Sequence, residues 1–491
     1  MFASPVETDI APSGSLLGLL QRGRGDGALH ALAAPRPEAV AAVEHCVLND
    51  PRRDWQVEHR SLYYARLYAE LGADLTAIAG HLGHPEDAAA GDPLTGEGVP
   101  EERTGLALSV LGHLVSYGDT RALDLLRRYA LRGANWRWAL DELAVRDDDR
   151  GLRALGPGIL ERFPATEEGE AALGAAARDA FEPRPWRIWA EDRNRPAQAA
   201  RVRRALESGA FDRWRRQLRP PRPQPGWSVA SVLGWVAEGQ LLDPPQWREA
   251  PAARCLAAVA GPGDRPALLT AAGRAEPAVR AAALRHLAER EDPAALDLIE
   301  AAGADPRREL AEAAGRALSR MSGPQALERA RGWACREDEL GAAAAALLAV
   351  RGGAADGGLV LQALRRTVRA QGPDGDPGAL WPLVDGAGRL GLAAAAPVLR
   401  HVYRETVSSQ LRGRTAVALA ATDPSFAAGF AVECLWDCEE DTRAVGARHA
   451  TTGDARVVER LRSLAADPAE EAGVQTAVRG RLHEPPRPPA S

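Results

Sequence analysis

A short block that recurs in the second half of the chain limits its fold more than any other feature. Residues 276–291 read EPAVRAAALRHLAERE, and DPRRELAEAAGRALSRM follows from Asp305, which sets Pro277 and Pro306 29 residues apart. Val279, Ala283 and Leu287 fall at helical spacing in the first block, and Leu296 and Ile299 do so in the DPAALDLIEAAG that follows it. A pair of short antiparallel helices cannot bury its apolar face alone. It must stack on the next pair, and small Ala side chains let the pairs approach closely.

The same plan continues as EDELGAAAAALLAV with DGGLVLQALRRTVRA, WPLVDGAGRLG with AAPVLRHVYRETV, QLRGRTAVALAAT with PSFAAGFAVECLW, and EDTRAVGARHA with DARVVERLRSLAA. Each entry carries an acid near the helix start, where it complements the dipole, and Pro is tolerated in the first turn. Gly303, Gly323 and Gly353 are expected to mark exits. A 45 % apolar fraction dominated by Ala and Leu, with 5 % aromatic residues, agrees with an all-α protein.

The D/E-P-x-x-R-x-x-A entry and a period of about 30 residues resemble HEAT repeats, in the short HEAT-like form also seen in phycobilin lyases. The resemblance covers about half of the chain and implies an all-α, right-handed α-solenoid of HEAT-like helical hairpins. It also implies that second helices line a concave face, and that the chain binds a partner rather than catalysing a reaction. No cysteine is placed to argue for covalent transfer to a pigment.

Five segments are expected. Residues 1–25 form an N-terminal tail, 26–182 a half made of degenerate helical repeats, 183–226 an Arg/Trp/Pro-rich bridge and linker, 227–482 the HEAT-like array, and 483–491 a disordered tail. In the first half, EERTGLALSVLGHLVSYG with DTRALDLLRRYALRG and NWRWALDELAVRD with DDRGLRALGPGILERF read as hairpins, Asn135 being a candidate N-cap. The stretch DPRRDWQVEHRSLYYARLYAEL, residues 50–71, reads as a helix that turns Leu62, Ala65, Leu67 and Ala69 to a core, with aromatic residues between.

All 61 basic residues are Arg, and the net charge is −6. Exclusive use of Arg points first to a GC-rich genome, and the overall charge gives no pull toward nucleic acid or membrane. Local patches differ. Second helices offer Arg365, Arg366 and Arg369, then Arg400, His401, Tyr403 and Arg404, which are expected to bind a protein partner as an arginine ladder, or else to form surface ion pairs. The bridge holds 12 Arg against Glu191, Asp192, Glu207 and Asp212. Its Trp186, Trp189, Arg203, Arg204, Trp214, Arg215 and Arg216 either form a structural bridge, with the Trp residues packed into a neighbouring helix and the Arg residues on a solvated face, or support a second reading, contact with nucleic acid, within which a glycosylase-like role would use Trp136, Trp138 and Asp141.

No cofactor or metal is expected. Cys434, Cys438 and His449 lack an obvious fourth ligand, and His81, His84, Glu86 and Asp87 are explained as well by capping and solvent. No Gly-rich phosphate loop, nucleophile elbow or zinc-protease motif is present. Five scattered cysteines, an acidic N-terminal stretch and the shortness of the apolar LLGLL run lead to the expectation of a cytoplasmic protein without membrane attachment.

Overall fold

The computed structural model describes residues 10–51, 60–85, 101–207 and 226–483. Among these residues there are 28 α-helices, four short 3-10 turns and no β-strand, and helices adjacent in sequence pack as pairs in the manner of an α-solenoid. No helix among them is long and apolar enough to cross a membrane. The chain divides into two compact units. One, the repeat unit, is built from Arg219–Thr406 and Arg414–Pro424; the other, a composite unit, is built from Met1–Leu218, Val407–Gly413 and Ser425–Ser491.

The helices of the repeat unit alternate between two rows. Glu249–Val259, Pro277–Glu289, Arg308–Leu318, Glu339–Arg351 and Pro377–Arg389 are the first helices of their hairpins, and they pack closely on one another in sequence order. The second helices, Arg265–Arg274, Ala294–Gly303, Pro324–Trp333, Gly357–Gln371 and Ala396–Glu405, flank that row and meet each other at far fewer points. Small residues account for the difference. A Cβ added at Gly386 would lie 2.5 Å from the Cβ of Ala349, and one at Gly388 would lie 2.8 Å from the Cα of Ala418, so the first row packs backbone to backbone. Pro277, Pro324 and Pro377 stand in first turns as expected. Gly323 and Gly353, however, occupy N-cap positions and open elements rather than close them.

The acid and the Arg of the repeat motif belong to one contact. Arg280, four residues into its helix, donates from Nη1 to Asp305 at 3.1 Å, and Asp305 lies just ahead of the next first helix. Hydrogen bonds from Arg307, with help from Arg280, hold the Asp305 carboxyl well below the usual carboxylate range. The motif therefore joins one hairpin to the next.

In the composite unit the first helices of the chain pack on its last hairpins. Leu16–Gln21 and Gly25–Ala33 are part of this core, so residues read from the sequence as a tail include the buried Leu19 and the fully buried Leu20. Gly23 O accepts from the Cys438 amide at 2.9 Å, and Arg24 Nη2 donates to Glu433 at 2.9 Å. The helix Arg60–Leu71 is buried nearly all round. Tyr63 and Tyr64 donate to the carbonyls of Arg24 and Leu20 at 2.8 and 3.0 Å, whereas Ala69, expected in the core, faces solvent. Arg66 donates to Asp467 and Glu470, each at 2.9 Å, and Arg443 clasps the same Glu470 at 2.9 and 2.7 Å.

Two predictions follow from this packing. Gly386→Ala should destabilise the repeat unit by about 1–3 kcal/mol, since the neighbouring backbone cannot yield to the methyl group; urea unfolding would measure this. Burial alone would raise the Glu470 pKa, but Arg443 and Arg66 outweigh it and hold the carboxyl at about 2 against an ordinary 4.5. A depressed carboxyl adds stability above its unfolded pKa, and that stability is lost as pH falls through the folded value. Glu470→Gln should weaken the composite unit at neutral pH by about 3–5 kcal/mol, because the buried Arg443 loses its counter-charge and Arg66 keeps only Asp467. It should also flatten the loss of stability between pH 4.5 and 2. Hydrogen exchange of the helices Arg60–Leu71 and Ala472–His483 across that range would read both effects.

Candidate functional site

Neighbouring second helices of the repeat unit are joined by arginine–carboxylate rungs. Arg265 forks onto Asp292 at 2.6 and 2.9 Å and Arg331 onto Asp356 at 2.7 and 3.3 Å, and from the last of these helices Arg400 forks onto Asp423, which directly follows the helix Ser409–Thr422, at 2.6 and 2.7 Å. Between Ala294–Gly303 and Pro324–Trp333 the polarity reverses, and Arg329 reaches back to Glu300 at 3.0 Å and to Asp297. Hydrogen bonds from Arg331 and Arg265 hold the Asp356 and Asp292 carboxyls below their ordinary values. Asp356 also accepts from the Gly353 amide at 2.9 Å, which fixes the turn that starts the helix Gly357–Gln371.

The step from Gly357–Gln371 to Ala396–Glu405 differs. Arg365 projects toward the start of the next second helix as Arg331 does one hairpin earlier, but it meets only the carbonyl of Ala394, at 3.0 Å. The residue that precedes each helix after a 3-10 turn is Asp356 in one case and Ala395 in the other. Arg366 points the opposite way and donates to Ala334 O at 3.0 Å, and Arg369 has no hydrogen-bond or ion-pair partner among the described residues. These three arginines line an open groove of about 640 Å³ with Leu361, Gln362, Cys335 and Glu337. Three guanidinium groups thus face one carboxylate. Cys335 is also the exposed cysteine of the five, the other four being buried.

The remaining expected partner-binding residues do not extend this groove. Arg400 is committed to Asp423, and Tyr403 is fully buried, its position on the helix Ala396–Glu405 turning it inward. His401 and Arg404 are exposed on that helix. The expected ladder across two repeats is therefore a cluster on one.

The bridge residues resolve differently from their composition. Trp186 and Trp189 are buried, stack edge to face with centroids 5.1 Å apart, and Trp189 Nε1 donates to Leu152 O at 2.7 Å. These indoles are core residues and are not available to stack on bases. Arg203 and Arg204 are exposed on the helix Pro196–Glu207. Trp214, Arg215 and Arg216 lie outside the described residues, as do Glu86 and Asp87. Cys434 and Cys438 are buried while His449 is exposed, and no group of three His, Cys, Asp or Glu suited to a metal occurs among the described residues.

Trp136 is buried edge-on against Phe163, and Trp138 donates to Ser109, which in turn donates to Glu142. Asn135 sits at the N-cap position, yet its side chain donates to Thr104 instead of capping. Burial first, then the nearby Glu182 and Glu142, push the Asp141 carboxyl up to about 7, although the Glu182 amide and Arg137 pull the other way. No protein-family model matches the chain, and no curated protein matches it.

The position of Asp141 has a measurable consequence. A folded-state pKa raised to about 7 from 3.8 means that its contribution is full at acid pH and is lost as pH rises through 7. Asp141→Asn, which keeps an acceptor for the Glu182 amide, should match the wild-type protein near pH 4 and exceed its stability above pH 7. Thermal unfolding at both pH values tests this.

Proposed function

We propose that the chain is a binding protein, an adaptor or scaffold that holds an acidic segment of a protein partner in the groove lined by Arg365, Arg366 and Arg369. The supporting observation is that these arginines stand in a row of second helices whose other junctions each carry a carboxylate. Guanidinium groups left with carbonyl partners or none favour an external anion through charge-assisted, often bidentate hydrogen bonds. The tight, Ala-packed hairpins behind them form a stiff support, which limits the ordering cost of binding. The HEAT-like reading of the repeats agrees with such a role, since stacked hairpins supply extended surfaces. Five free cysteines fit a reducing, cytoplasmic setting.

The test is retention of proteins from nuclease-treated extract of the native cell. Arg365→Ala/Arg366→Ala/Arg369→Ala should lose the retained partner by at least tenfold, with helicity by circular dichroism unchanged and wild-type retention falling as salt is raised. Retention that survives in the triple variant, or that needs intact nucleic acid, would remove the groove from this role.

A further inference from the structure

The junction beside the groove, at Arg365, lacks one specific group, and the neighbouring junctions identify that group. At the preceding junction, Asp356 is almost fully buried, caps the turn Ala354–Asp356 through Gly353, and receives Arg331. At the next junction the exposed Arg365 occupies the arginine side, and the turn Ala393–Ala395 has the fully buried Ala395, which supplies no carboxylate, on the acid side. We infer that the carboxylate of a partner's Asp or Glu side chain enters here as the missing acid of the rung, taking Arg365 as Asp356 takes Arg331. This deepens the adaptor reading and rests on it.

The geometry adds a second requirement. Leu361, Arg365 and Arg369 follow one another at four-residue intervals on the helix Gly357–Gln371, so they form a stripe with about 6 Å between successive side chains. In an extended peptide, alternate side chains on one face are about 7 Å apart. An extended segment with two acids in alternation therefore places one carboxylate on Arg365 and the next on Arg369, and an apolar residue before them reaches Leu361. Glu337 on the groove wall disfavours acids beyond these positions.

The rung can be completed within the chain, which gives the test. Fluorescein-labelled hexaglutamate, with hexaglutamine as the neutral control, would be titrated by anisotropy at low salt. The full chain would be compared with Arg365→Ala, Ala395→Asp and the double variant, and circular dichroism would confirm the fold of each. Each single change should weaken hexaglutamate binding about tenfold, one by removing the arginine and the other by satisfying it internally. The double variant should bind no more weakly than either single, because both changes remove one interaction. Should Ala395→Asp not fold, Arg366→Ala serves instead, and it should cost clearly less than Arg365→Ala because Arg366 is turned to Ala334.

Hexaglutamate should also slow maleimide alkylation of Cys335, which locates the peptide in the groove. Losses that add in the double variant, or equal losses from Arg365→Ala and Arg366→Ala, would overturn the rung while leaving the adaptor reading in place. Failure of the unmodified chain to bind hexaglutamate would overturn both.

Discussion

The reach of an arginine from one hairpin to an acid at the start of the next is the interaction that organises this protein. It occurs between first helices as Arg280 to Asp305, between second helices as Arg331 to Asp356, and in the composite unit as Arg412 to Asp437 and Arg443 to Glu470. Ala-rich surfaces stack tightly but carry little shape to fix their register, since one methyl group resembles the next. A forked guanidinium–carboxylate pair has one good geometry and sets that register. Where the pair is fully buried, as for Arg412 and Asp437, much of its attraction goes to offset desolvation. Its structural value there is specificity of position more than net stability.

The helices were legible from the sequence because Ala and Leu recur at helical spacing and prolines open the turns. The role of the recurring acid was half legible. Its place before Pro306 suggested a dipole contact, but its partner Arg280 lies in the previous hairpin, where only the motif's periodicity pointed. The docking of the last hairpins on the first helices left no signal at all. Arg66 and Glu470 are separated by 404 residues, and nothing local in either stretch announces the other.

Side-chain direction was the other gap. Trp186 and Trp189 stand among many arginines, so composition alone suggests a surface for nucleic acid, while their three-residue spacing puts both indoles on one buried helix face. Tyr403 is misleading in the same way, flanked by arginines and wholly buried. By contrast, the grouping of Arg365, Arg366 and Arg369 on one second helix could be read from the sequence, and the structure places all three along one groove.

In a chain whose only strong cation is Arg, the number of arginines says little about function, because many of those in the described residues join helices or close their ends. Arg389 alone donates to the carbonyls of Ala349 and Gly352 at 2.9 and 2.8 Å, closing the end of the helix Glu339–Arg351. A guanidinium group serves such roles well, since its planar donors reach carbonyls and carboxylates alike. What distinguishes Arg365 from the others is therefore a departure from the local pattern. Arg365 stands out because the junctions on either side each carry an arginine–carboxylate pair, whereas the residue at the start of its own next helix is an alanine. A regular array makes such a vacancy legible, which a single irregular domain would not.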